Sequence, residues 1–287
     1  MQGQGITDII IYIQNKNISK SSKEKGINME KIPKIIHFCW LSKDEYPELV
    51  KKCIESWKKY LPDYEIMIWN TDNFDVNCCT YTAQAFAAKK YAFVSDYIRL
   101  YALYNYGGIY LDSDIEVIKS FDDLLNQKAF TCFQNSYSVA AWIFGSVKGN
   151  PIFKEFLDHY KDRKFILDDG SMDLTPNPVP ITETCKKHGL KLKNVEQKLD
   201  YITVYPQDYF CPYDHVNEKL NITENTYSIH YFNAAWFTDE QKEKLTKRRK
   251  IEKKYGRLGG YIYEGFYTIK TSGLKGFGKT LRRFFKL

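Results

Sequence analysis

A chain of 287 residues, 16% aromatic and 27% charged, is long enough for one large α/β domain or two small ones. Its net charge of +7 is uneven, because residues 241–287 carry fifteen Lys/Arg against Glu243, Glu252 and Glu264, a local +12 that leaves −5 on residues 1–240; an acidic body argues against a nucleic-acid partner. The seven cysteines, an odd number with Cys78 and Cys79 adjacent and no Cys-x-x-Cys pair, exclude a disulfide framework or zinc ribbon and point to a reducing cytoplasm.

Residues 1–28 hold the short apolar run Ile6–Ile13 and then a polar stretch. The run is too short to span a bilayer and lacks a signal peptide's flanks, so this segment is expected to lie outside the fold, with Met29 a candidate natural start. Ile32–Trp40 is apolar almost throughout, as a strand covered on both faces should be. Trp40 stands at its carboxyl end, the edge at which open α/β sheets bind ligands; it is either a core tryptophan or a platform for a base. Pro47–Leu61 follows as an amphipathic helix, Tyr64–Trp69 as a second strand and Thr82–Lys90 as a small helix.

The most informative stretch is Tyr91–Ile118. Phe93, Tyr97, Leu100, Tyr101 and Tyr104 recur at helical spacing, with Asp96 and Arg99 one turn apart, and Gly107-Gly108 supplies the stop. Ile109-Tyr110-Leu111 reads as a buried strand, and Asp112-Ser113-Asp114 follows where that strand leaves the sheet. Alternation puts both aspartates on one side. Converging carboxylates repel one another unless a hard cation such as Mn²⁺ or Mg²⁺ sits between them; the plain alternative is a solvated turn.

Further strands are expected at Ala129–Phe133, Val139–Phe144, Ile202–Pro206 and Tyr227–Tyr231, with a helix from Asn150 to Tyr160. Asp168–Pro180 is rich in Asp, Gly and Pro and reads as a long loop. His230, beside an apolar strand, is either structural or a ligand. A charged helix should run from Thr238 to Lys254 and break at Gly256, Gly259 and Gly260. Leu274–Leu287 places Leu274, Phe277, Leu281, Phe284 and Phe285 on one helical stripe with basic residues elsewhere, a pattern that suits an anionic membrane surface or an ordinary docking helix. The alternation of strands and helices predicts a mostly parallel central sheet with helices on both faces. Neither a Gly-x-Gly-x-x-Gly nor a Gly-x-x-x-x-Gly-Lys-Ser/Thr loop is present.

The block from Ser95-Asp96 and Arg99 through Gly107-Gly108 to Asp112-Ser113-Asp114 resembles the signature of glycosyltransferase family 32, which includes bacterial capsule-type transferases, fungal Golgi mannosyltransferases and the glucosylating domain of large bacterial toxins. The resemblance implies an α/β, GT-A-like Rossmann-type nucleotide-binding fold, expected over residues 29–240, and the charge and helical pattern set residues 241–287 apart as a basic helical tail. It also implies a retaining transferase that uses Mn²⁺ or Mg²⁺ and a nucleotide-diphosphate sugar, with UDP-sugar as the expected donor. The acceptor would be a surface glycan or a lipid-linked glycan; the cysteines and the basic tail put the protein in the cytoplasm, peripheral at the inner face of the membrane.

By the same resemblance Asp112 and Asp114 hold the metal and His230, in Ile-His-Tyr-x-x-x-x-Trp, completes the ligands. Asp96 and Arg99 orient the donor, Tyr110 packs near the uridine, Trp40 in Ile-His-Phe-x-Trp stacks on the base, and Trp236 lies near the leaving diphosphate. Asn177–Thr182 resembles an acceptor-side motif. Two other classes share the paired carboxylates: a metal-dependent nucleotidyl- or phosphotransferase, and an inactive glycan-binding relative.

Overall fold

A computed structural model of the chain describes residues 30–42, 44–135, 138–214, 219–232 and 239–285. The segment 1–28 and Trp236 lie outside the described residues. The first half alternates as expected: β1 (Ile35–Cys39), α1 (Glu48–Tyr60), β2 (Glu65–Trp69), α2 (Thr80–Ala87), α3 (Tyr91–Tyr106) and β3 (Gly108–Leu111). Then come β4 (Ile115–Val117), β5 (Ala129–Asn135), β6 (Ser138–Val139), β7 (Ile143–Ser146), α4 (Pro151–Asp158) and α5 (Pro178–Lys187). The rest is β8 (Gln197–Lys198), β9 (Thr203–Tyr205), β10 (Tyr213–Asp214), β11 (Lys219–Leu220), β12 (Ser228–His230) and the helical segment α6 (Asp239–Phe285).

The main sheet has the order β2-β1-β3-β7-β5-β9-β8, with β6 on β5. β2, β1 and β3 are mutually parallel, β7 runs against both β3 and β5, and β9 is parallel to β5. Thus β2, β1, β3, β5 and β9 share one direction, and the sheet is mostly parallel, with β7 reversed in its middle.

Strand alternation divides the apolar residues between two cores, one on each face. Ile36 and Phe38 of β1 pack with Trp57 of α1, and Ile109 and Leu111 of β3 join them. Tyr110 faces the opposite side, with Val94, Ile98 and Leu103 of α3 and Phe153 and Phe156 of α4. Helices therefore cover both faces.

The turn from α3 into β3 leaves no room for side chains. Gly107 and Gly108 have φ of 70° and 103°, a region that favours glycine, and a Cβ on Gly108 would stand 2.7 Å from the Ile35 carbonyl oxygen. His37 of β1 secures this turn from beneath. Its Nε2 donates to the Gly107 carbonyl at 2.7 Å and its Nδ1 accepts from Trp69 Nε1 at 3.1 Å. Both ring nitrogens are thereby satisfied in the neutral form, and burial pushes the imidazole down to about 4.

Four features differ from expectation. Asp168–Pro180 is not loop throughout: Pro178 occupies the first turn of α5, a position that tolerates a missing N–H. The single strand expected at Val139–Phe144 is divided into β6 and β7, and Ala140–Trp142 between them turns toward the carboxylates of the site. β4, absent from the sequence reading, forms a separate two-stranded ladder with β12. In α6 the chain reverses at Gly256, whose φ is 69°. Glu240 Oε1 accepts from Tyr267 Oη at 2.8 Å and Lys244 Nζ lies 3.4 Å from Glu264 Oε2, whereas residues so far apart on one straight helix would be roughly 30–40 Å apart. The segment is a hairpin of two helical arms; Gly259 and Gly260 do not interrupt it but let the arms approach.

Candidate functional site

β3 is buried at every position and delivers Asp112 and Asp114 at its carboxyl end, 8% and 4% exposed. The Asp112 backbone N–H donates to the Trp142 carbonyl at 3.0 Å. The aspartates therefore do not form a solvated turn. His230 arrives from β12, whose pairing with β4 sets it opposite Ile115, and the Tyr231 N–H donates to the Asp114 carbonyl at 3.2 Å. α1 clamps β4 from outside: Trp57 Nε1 donates to the Ile115 carbonyl at 2.7 Å and the Val117 N–H donates to Ser56 Oγ at 2.9 Å.

Asp112, Asp114 and His230 each present one ligand atom, and these atoms lie within 4.8 Å of one another. Ligands roughly 2.0–2.6 Å from a hard cation are at most about 5 Å apart, so the trio can share one ion. His230 Nε2 lies 3.1 Å from Asp114 Oδ1, while His230 Nδ1 is buried with no hydrogen-bond partner among the described residues. A buried imidazole with one nitrogen unpartnered, grouped with two carboxylates, fits a divalent cation such as Mn²⁺ or Mg²⁺. Burial pushes the Asp112 carboxyl up, against the pull of Arg99 and His230, and Asp114 adds to the rise.

Arg99 lies beside this trio and is 6% exposed. Its Nη2 is 3.1 Å from Asp96 Oδ1 and 3.3 Å from Asp112 Oδ1, its Nε donates to the Ser95 carbonyl at 3.2 Å and its Nη1 donates to the Ala141 carbonyl. A guanidinium so held is a fixed positive charge, not a loose surface pair. Burial raises Asp96 to about 6, against the pull of Arg99 and with a further push from Asp112.

Tyr110 takes a place other than the one the resemblance implies. It is 1% exposed, its hydroxyl donates to Asp112 Oδ1 at 3.0 Å, and Arg99 Cζ lies 4.9 Å from its ring centre. Pointing to the same side as Asp112 in the middle of a covered strand, it supports the carboxylate from below and offers no face to a base. Trp40 is partly exposed at the end of β1; its Nε1 donates to the Asp44 carbonyl at 3.0 Å and its ring meets Tyr46 edge-on at 5.0 Å. His37 of β1 sits opposite Tyr110 of β3 in a parallel pair, so Trp40 and the aspartates emerge at one edge of the sheet.

One contributor went unnoticed in the sequence, and another takes a place other than the one the resemblance implies. Trp142 packs on His230 with ring centres 4.7 Å apart, and no motif marks it. Asn177, buried at the entry to α5, donates from Nδ2 to the Asp96 carbonyl at 3.0 Å and accepts from Tyr160 Oη at 3.0 Å. It braces α3 rather than lying open in an acceptor loop.

Fold and site together define a Rossmann-type α/β protein with three side chains that could share one cation at the carboxyl edge of its sheet. A family model described as capsular polysaccharide synthesis protein matches residues 5–164, more than half of the chain, which belongs to that family.

Inositol phosphoceramide mannosyltransferase 2 of Schizosaccharomyces pombe is 26% identical over 219 residues, covering 73% of this chain and 59% of that protein. Mannosyl phosphorylinositol ceramide synthase CSH1 of Saccharomyces cerevisiae is 32% identical over 145 residues, 47% of this chain and 38% of that protein. The chain thus spans less than two thirds of the length of each of these relatives. The solved PaToxG glycosyltransferase aligns over 63% of this chain and 77% of its own at 21% identity and a TM-score of 0.43. The galactosyltransferase LgtC, with donor and acceptor sugar analogues, covers 71% of this chain and 90% of its own at 13% identity and 0.38. At these scores the match is one of broad outline.

Proposed function

We propose that this chain is a metal-dependent retaining glycosyltransferase. It moves a sugar from a nucleotide-diphosphate donor, a UDP-sugar, to a glycan or lipid-linked glycan during surface polysaccharide synthesis. The observation that carries the reading is the buried trio Asp112, Asp114 and His230 at the carboxyl edge of the sheet, beside a guanidinium fixed by Asp96, in a chain of the capsule-synthesis family. The names of the fungal mannosyltransferases support sugar transfer in the same direction as the resemblance in Tyr91–Ile118.

Asp112, Asp114 and His230 would hold Mn²⁺ or Mg²⁺, which when bound supplies Lewis-acid neutralisation of the charge on a departing diphosphate. Arg99 presents a second fixed positive charge toward the donor, kept in place by Asp96, Asp112 and the Ala141 carbonyl; such preorganised charge acts without reorganisation as the transition state forms. Trp40 offers a ring at the same edge for the base. With no side chain placed as a covalent nucleophile in the sequence reading, attack on the face from which the diphosphate leaves is the route that retains configuration. The reading places the enzyme in the cytoplasm, peripheral at the inner face of the membrane, with residues 241–287 as the contact.

The test is Mn²⁺-dependent hydrolysis of a panel of nucleotide sugars, followed by product analysis. Release of nucleoside diphosphate and free sugar is expected, with a loss of at least about 100-fold in Asp112→Asn plus Asp114→Asn. Unchanged turnover in that variant would overturn the metal assignment, and transfer of a nucleotidyl group would overturn the reaction class.

A further inference from the structure

The hairpin of α6 pairs its acids with its own basic residues and displays its apolar residues. Glu243 pairs with Lys247 at 2.6 Å, Glu252 with Arg248 at 3.0 Å, and Glu264 with Lys244 at 3.4 Å and Arg248 at 3.5 Å. Every acidic residue after 241 is thereby neutralised within a segment of local charge +12. On the second arm Gly260 is buried and a Cβ on it would stand 2.3 Å from Glu252 Cγ, so that face is closed against the first arm. Beside it the second arm carries Leu258, Ile262 and Phe266, four residues apart and 70%, 51% and 69% exposed, with Tyr255 63% exposed at the turn; they line an open groove with Ile251 of the first arm. Large apolar side chains in a row on an otherwise charged segment mark an interaction surface. Exposed Lys254 and Lys270 stand at the two ends of the row.

We propose that this face, Tyr255, Leu258, Ile262 and Phe266, lies in the headgroup layer of an anionic bilayer and is the membrane-contact surface of the chain. The inference rests on the reading that residues 241–287 meet such a bilayer, and it assigns the contact to a part of the tail other than the Leu274–Leu287 stripe. Charge selects the occupant. A second copy would bring another +12 against this one, whereas an anionic lipid surface attracts the lysines at the ends of the row, whose stems lie along apolar surface while their ammonium groups reach phosphate. Among the described residues no helix is long and apolar enough to cross a membrane, so the face lies on the bilayer rather than through it.

The test is flotation of the full chain with phosphatidylcholine vesicles, with and without about one third phosphatidylglycerol. Binding is expected only with the anionic vesicles and should weaken as salt is raised. Leu258→Ser/Ile262→Ser/Phe266→Ser should lower the partition coefficient by about tenfold or more, with circular dichroism and donor hydrolysis unchanged because these side chains are exposed. Lys254→Gln/Lys270→Gln, which leaves the apolar row intact, should lower it severalfold.

Three results would overturn the proposal. If the full chain fails to bind anionic vesicles, both the membrane reading and this assignment fall. If Leu274→Ser/Phe277→Ser/Leu281→Ser abolishes binding and the first variant does not, the membrane reading stands and this assignment falls. If the first variant instead converts a dimer to a monomer in light scattering, the face is a subunit contact.

Discussion

Tyr110 and Asp96 show how single residues set the chemistry of the site. Tyr110 Oη donates to Asp112 Oδ1 beside the Arg99 guanidinium, and a hydrogen bond to a charged group contributes about 1.5–3 kcal/mol. Tyr110→Phe should therefore weaken Mn²⁺ binding measured by calorimetry by about tenfold or more while leaving nucleotide-base affinity unchanged; a selective loss of base affinity would restore Tyr110 to the role first expected of it. Asp96 is raised to about 6, chiefly by burial, so it carries its charge above that pH and loses it below. Since Arg99 leans on this carboxylate at 3.1 Å, kcat/KM for sugar transfer should fall as pH drops through about 6, and Asp96→Asn should be slow and lack that limb. The acids, the arginine and the histidine were legible in the sequence because each sits in a local pattern. Trp142 was not, and Asn177 was noticed only as part of an acceptor-side motif, because their contacts are made across the fold.

Among the elements, the helix–glycine–strand unit was read with nearly its final boundaries, since periodicity, a glycine stop and an apolar run are all local signals. His37, opposite it on β1, has a consequence for stability. Above pH 6.5 the imidazole is neutral in both the folded and unfolded chain, and its contribution is fully present. Between 6.5 and about 4 the unfolded chain takes up a proton that the folded one refuses, so stability falls with falling pH by about 3 kcal/mol over the window and levels off below it. Urea unfolding at pH 7 and 4.5 should show this loss in the native chain and a smaller one in His37→Gln. Gly108→Ala should cost more than about 2 kcal/mol at either pH, because φ of 103° and a contact of 2.7 Å to the Ile35 carbonyl oxygen must both be relieved. By contrast α5 was missed because its prolines read as loop, and the β4–β12 ladder was missed because a three-residue strand carries no pattern of its own; its partner supplies its definition.

At the scale of the whole molecule, the site is a closure between distant parts of the chain. Asp112 and Asp114 belong to the first half, and His230 comes from a strand that follows β9, β10 and β11 and docks on β4, outside the main sheet. The sequence showed the residues at both ends but not the ladder that joins them, since pairing over such a separation is set by tertiary packing. An ion shared by all three ligands would bind the folded chain and not the unfolded one, and would stabilise it by about 2.7 kcal/mol at a concentration a hundredfold above its dissociation constant. Mn²⁺ should accordingly raise the melting temperature of the native chain in a concentration-dependent way, by several degrees at saturation. His230→Ala removes the ligand from the late strand, so it should lose most of this increment, with the midpoint of the metal titration displaced by at least about tenfold. It should keep its metal-free melting temperature to within a few degrees, because the β12 backbone remains hydrogen-bonded to β4. If His230→Ala responded to Mn²⁺ as the native chain does, the ion would be held by the aspartates alone and His230 would be a packing residue beneath Trp142.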